Sequence, residues 1–169
     1  MQVTSVIAWV RRLAALQLRV SAALDLFYRR KHRLLHEFST VVGIELLEGL
    51  HKLSLEVLDR WHEVKADAEV SDATKQTVVN MVNADFLEYD WGNADVVFAN
   101  STCYDERLMK QLAEQCEKLK AGVFVITFTR RLPSQEFDVL EHERHLMSWG
   151  EATVFIQRRK AEAPEDGEQ

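Results

Sequence analysis

The residues able to do chemistry sit in three places, each at or just past a short apolar run. Glu45 ends Val41-Val42-Gly43-Ile44. Asp85-Phe86 follows Thr77–Asn83. The polar cluster Asn100-Ser101-Thr102-Cys103-Tyr104 follows Val96–Ala99. A carboxylate at the end of a parallel strand can accept hydrogen bonds from both hydroxyls of a ribose. Read alone, Glu45 fits a solvent-facing helix-cap glutamate better. An aspartate at a strand end can accept from an exocyclic amine, and the phenylalanine beside it can stack on a purine. A turn aspartate next to a core phenylalanine fits Asp85-Phe86 equally well. Asn100–Tyr104 can bind main chain or orient a substrate amine. The competing role is turn and capping chemistry, with Thr102 or Asp105 as the cap.

Three further candidates carry less. Cys103 as a nucleophile needs a histidine, and none lies near it in sequence. His142 and His145, with Glu141 and Glu143, have ligand-like spacing. In a strand, however, the two histidines point to opposite faces, so we expect no metal site. Trp149 reads as a core residue.

These groups need elements to hold them. Between the Val- and Ile-rich runs Val96–Ala99 and Val123–Ile126 lies a helical pattern, with Leu108, Met109, Leu112, Cys116 and Leu119 on one face. Asp105 can cap its start, Lys118 and Lys120 suit its last turn, and Gly122 follows. Strand, polar loop, helix, strand is a parallel crossover, and ligands bind beyond the carboxyl ends of such strands. Upstream, Val41–Glu45 reads as a strand. The helix after it places Leu46, Leu50, Leu53, Val57, Leu58 and Trp61 on one face. Lys65–Lys75 is a polar connection to the strand Thr77–Asn83. Downstream, Arg130–Glu136 is a loop holding Pro133. Phe137–Trp149 and Ala152–Arg158 form an antiparallel hairpin turning near Gly150. Ala161–Gln169 reads as a disordered acidic tail.

The amino-terminal stretch is different. Residues 1–40 contain no Gly or Pro, and Arg11–Leu35 is dense in Leu, Ala and Arg. The expectation is one or two helices between Ser5 and Phe38, with a strand at Val3–Ile7 as the weaker alternative. No acidic residue precedes Asp25. That suits an organellar transit segment, and better a solvated basic helix face.

Length and composition set the class. The chain has 169 residues, 47% hydrophobic and 28% charged, with net charge -6. That is an ordinary globular domain without a strongly basic surface overall. Two cysteines make no disulfide framework. No apolar run is long enough for a transmembrane helix, so no membrane partner is expected.

Taken in order, VVGIELLEGLHKLS, NADFLEYDW, ADVVFANSTCYD, LKAGVFVITFTRRLP and MSWGEATVFIQ form a run of spaced motifs. The run resembles the disruptor-of-telomeric-silencing (DOT-type) histone lysine methyltransferases, over about Leu34 to Arg158. The resemblance implies an α/β fold, the Rossmann-like class I methyltransferase sheet with its antiparallel C-terminal hairpin. It implies S-adenosylmethionine as cofactor, a nucleosomal histone as partner and the nucleus as location. Glu45 would take the ribose position. Asp85 and Phe86 would take the adenine positions. Asn100 and Ser101 would be the polar pair lining the place where methyl group and lysine amine meet, Asn100 also contacting the cofactor, with Thr102 and Tyr104 along the same channel. Ser101 departs from the Asn common in the family. Trp149 matches a Ser-Trp step before the last hairpin.

One departure is larger. The family's first strand and Gly-rich loop should precede Glu45, where this chain reads LAALQLRVSAALDLFYRRKHRLLHEF without a glycine. The expected organisation is a helical segment at 1–33, an incomplete methyltransferase-like domain at 34–160 lacking the first strand, and a tail at 161–169. A truncated or mis-spliced reading frame, or a degenerate paralogue, would account for it. Two functions follow: a weak or inactive lysine methyltransferase, or a non-catalytic interaction domain of the same fold.

Overall fold

A computed structural model describes residues 4–9, 38–64, 67, 72–147 and 150–161. Seven strands form one sheet: β1 (Thr4–Trp9), β2 (Thr40–Glu45), β3 (Val78–Asn83), β4 (Val96–Ala99), β5 (Phe124–Phe128), β6 (Phe137–Met147) and β7 (Gly150–Arg159). Their order is β3-β2-β1-β4-β5-β7-β6. Strands β1 to β5 are parallel, and β7 runs antiparallel between β5 and β6. The helices are α1 (Glu48–Val64), the short α2 (Asp72–Gln76) and α3 (Glu106–Cys116).

The expected α/β sheet is present, but the expectation that it lacks its first strand is overturned. Thr4–Trp9 is a strand, not the start of a helix. It fills the central place, pairing with β2 from Thr4↔Thr40 to Trp9↔Glu45 and with β4 from Ser5↔Val96 to Ala8↔Ala99. Two flanking parallel strands otherwise left with bare edges explain why six residues rich in Thr, Val, Ile and Trp are extended here. The rest of the predicted 1–33 helical segment, like Trp149, lies outside the described residues.

The crossover β4–α3–β5 forms as the spacing predicts, with β4 and β5 adjacent from Val96↔Phe124 to Ala99↔Thr127. Side chains alternate across these strands. Val97, Ala99 and Val125 join Met109, Leu112, Ala113 and Cys116 of α3 in one core. Val96, Phe98, Ile126 and Phe128 join Ala152, Val154 and Ile156 in the other. Asp105 caps α3 by accepting from Leu108 N at 2.8 Å. Asp105→Ala should cost about 1 kcal/mol in chemical denaturation, with no change in ligand affinity. Gly122, after α3, has φ 85°, which a glycine adopts without strain.

The face expected on α1 is only partly covered. Leu50, Val57, Leu58 and Trp61 are half-buried, whereas Leu46 and Leu53 are exposed and Ser54 is buried. No helix among the described residues is long and apolar enough to cross a membrane.

Candidate functional site at the carboxyl ends of the central strands

Strand order reverses between β1 and β4, since β2 lies on one side of β1 and β4 on the other. In open parallel sheets the crevice at this switch point is the usual ligand site. The register builds a row across it. Trp9 pairs with Glu45, Glu45 pairs with Asn83, and Asn100 stands one residue past Ala99, the partner of Ala8.

Glu45 closes β2 and is almost fully buried, at 2% exposure. This corrects the solvent-facing cap. A carboxylate is taken out of water only where donors meet it. Its Oε1 accepts from Leu47 N at 2.8 Å, a bond formed as the chain bends out of the strand. Its carbonyl accepts from Asn83 Nδ2 at 2.8 Å and Ala84 N at 3.2 Å. The ends of β2 and β3 are thereby locked together, and Asn83 is a clamp that sequence reasoning overlooked.

Asp85 sits just past β3, half-buried. Its Oδ1 accepts from Leu87 N at 2.9 Å, and its carbonyl accepts from Glu88 N and Tyr89 N. It is thus a turn aspartate whose carboxylate stays at the strand end. Phe86 belongs to the main core, and its carbonyl accepts from Trp91 Nε1 at 2.7 Å. Trp91, a second residue missed from sequence, therefore fixes the loop that carries Asp85 and Phe86.

Beyond β4, Ser101–Cys103 makes one 3₁₀ turn. Thr102 Oγ1 donates to Asn100 Oδ1 at 3.3 Å, which leaves the Asn100 amide nitrogen free of that contact. Both side chains are half-buried at the rim. Ser101 corrects the expected role. It is fully buried, its Oγ donates to Phe128 O at 2.8 Å, and the same Oγ accepts from Phe128 N at 2.9 Å. It ties the ends of β4 and β5 together and has no proton left for a substrate. Cys103 is exposed as a free thiol, whereas burial pushes the Cys116 thiol up and keeps it inert.

Tyr104 brings the pieces together. Its ring stacks on Phe86 with centroids 6.0 Å apart and planes 8° apart. Burial first, then the charges of Glu45 and Asp85, push its phenol above the usual range. It is therefore a neutral donor at any physiological pH, facing two carboxylates. The expected residues Glu45, Asp85, Phe86 and Tyr104 thus converge, with Asn100 and Thr102 at the rim.

Below the site, Thr127 and Gln157 are buried and bonded to each other and to the loop after β5. In that loop Thr129 has φ 68°, and Arg130 N donates to Phe128 O, a strained three-residue turn. It releases Arg130 and Arg131 as exposed cations on the carboxyl side of the sheet. The Arg-Arg step after a strand was the sequence signal for them.

The remaining candidates lie apart. His142 stacks on Phe155 at 5.8 Å, and His145 Nε2 is 3.5 Å from Glu143 Oε2. Among the described residues no group of three or more His, Cys, Asp or Glu could hold a metal ion.

No protein family matches the chain, and no curated protein does. Solved structures do. An RNA methyltransferase from Salinibacter ruber, in complex with S-adenosyl-L-homocysteine, has TM-score 0.60 and 17% identity, over 98% of this chain and 86% of that one. A putative methylase from Haemophilus influenzae has TM-score 0.58 and 14% identity, over 94% and 88%. TrmN from Thermus thermophilus has TM-score 0.60 and 15% identity, over 93% of this chain and 44% of its own. The DOT-type histone family that the motifs resemble finds no support among these relatives. What the likeness does establish is the architecture: the chain has the class I methyltransferase fold.

Proposed function

We propose that the chain binds S-adenosylmethionine and is a methyltransferase whose acceptor is RNA. The observation that carries this is the convergence of Glu45, Asp85, Phe86 and Tyr104 at the switch point of the sheet. The residues suit the cofactor's nucleoside end. Glu45 would accept from the ribose hydroxyls and Asp85 from the adenine amine. Phe86 and Tyr104 would form the apolar wall. When bound, the cofactor supplies an activated methyl group on a sulfonium. The chain's own task is then alignment: Asn100 and Thr102, neutral and at the rim, would orient the accepting nitrogen and help exclude water.

RNA is favoured by two points. The Salinibacter relative is described as an RNA methyltransferase. Arg130 and Arg131 stand exposed on the side where a phosphate backbone would approach. A nucleosomal lysine is the second reading, favoured by the run of motifs from VVGIELLEGLHKLS to MSWGEATVFIQ.

The methionine end of the cofactor is less well served. Residues 1–42 contain no glycine, so no glycine-rich loop follows β1 to let main chain approach that end. Transfer should therefore be slow, since about 1 Å of misplacement can cost a hundredfold in rate. Labelled methyl transfer to total RNA and, in parallel, to nucleosomes tests the proposal. The expected result is weak labelling of RNA above the background of Glu45→Ala. Labelling of nucleosomes alone would establish the second reading. No labelling of either, with cofactor bound, would make the chain a non-catalytic binding domain.

A further inference from the structure

Tyr104 holds an unmet hydrogen bond at the heart of the site. The side chain is 4% exposed, and its hydroxyl is buried without a partner. Leaving a buried hydroxyl unbonded destabilises a fold, and such groups are rare in native proteins. Two other side-chain atoms among the described residues share this state, His51 Nδ1 and Arg159 Nε. Arg159 ends β7 beside the amino end of β5, and His51 is in the first turn of α1. Tyr104 alone of the three stacks on Phe86 and feels the charges of Glu45 and Asp85.

The surroundings define what would satisfy it. Its ring stacks on Phe86 and belongs to the main core. The ionised groups acting on it are Glu45 and Asp85, both acceptors. Both are occupied at one oxygen by the main-chain N–H of Leu47 and Leu87 respectively. A ligand donating to these two carboxylates must offer an acceptor between its donors to meet the phenol. Adenosine has this arrangement, with ribose hydroxyls at one end, an exocyclic amine at the other, and ring nitrogens between.

We infer that the Tyr104 hydroxyl donates a hydrogen bond to an acceptor atom of the cofactor's adenosine, and so reads the nucleoside rather than guiding the methyl acceptor. This rests on the cofactor proposal above and gives Tyr104, already in the cofactor wall there, a polar contact in place of the substrate-channel role that the family resemblance implied.

Tyr104→Phe is the direct test, because it removes one oxygen and keeps the stack on Phe86. Calorimetry with S-adenosylhomocysteine should show affinity reduced about three- to tenfold, the worth of one neutral hydrogen bond. The ligand-free variant should melt at the same temperature as the parent or higher, since an unmet donor is gone. That pairing separates ligand contact from a structural role. Unchanged affinity would overturn the inference, and so would weaker binding accompanied by a lower melting temperature. If the parent chain itself binds no S-adenosylhomocysteine, the cofactor proposal fails and takes this inference with it. If the parent binds and Tyr104→Phe binds equally, this inference alone fails.

Discussion

Glu45→Ala is expected to weaken S-adenosylhomocysteine binding roughly 10- to 150-fold. The size follows from a hydrogen bond to a charged acceptor, worth about 1.5–3 kcal/mol. Burial sharpens the expectation, since a carboxylate at 2% exposure has already lost most of its water and gains by meeting a donor. The substitution also removes the acceptor for Leu47 N, which could disturb the turn into α1. Glu45→Gln separates the two effects. Its carbonyl oxygen can still accept from Leu47 N, while the negative charge is gone. An affinity between those of the parent and Glu45→Ala marks a ribose contact. An affinity for Glu45→Ala equal to the parent's would remove Glu45 from the site.

The second large effect is on stability. Ser101→Ala should destabilise the fold by about 2–4 kcal/mol. Phe128 N–H has Ser101 Oγ as its acceptor in a fully buried setting, and leaving such a donor bare costs about 1–3 kcal/mol. The bond from Ser101 to Phe128 O is lost as well, although Arg130 N still donates to that carbonyl. For a chain of this length each kcal/mol shifts the melting temperature about 2–4 °C, so a fall of about 5–15 °C is expected. A shift under 2 °C, with cofactor binding kept and methyl transfer abolished, would return Ser101 to the substrate channel.

How far the sequence carried the fold depended on whether local signals agreed with distant partners. The β4–α3–β5 crossover was legible because its determinants are local: two apolar runs, a 3.6-residue stripe, Asp105 as cap and Gly122 at the exit. The hairpin β6–β7 was legible from its alternation and from Gly150. Strand β1 was obscured because Thr4–Trp9 adjoins a stretch dense in Leu, Ala and Arg, and helix propensity there outweighed six extended residues. Its conformation is settled by β2 and β4, far along the chain.

The site divides the same way. Glu45, Asp85 and Asn100 could be found because each follows a strand-like run. Ser101 was misassigned because its partner is the main chain of Phe128, 27 residues away, which no spacing rule reveals. Phe86 and Tyr104 could be named, but not their contact, since it joins the loops after β3 and β4. Burial of Glu45 was equally hidden, because an acidic residue before a helix looks like a cap.

The central claim is that the carboxyl ends of β2, β3 and β4 form a seat for the cofactor's nucleoside. Calorimetric titration of the parent chain with S-adenosylhomocysteine tests it most directly. The account predicts saturable binding of one ligand per chain, weakened by both Glu45→Ala and Tyr104→Phe. Absence of binding at millimolar ligand, by a chain that melts cooperatively, would contradict it.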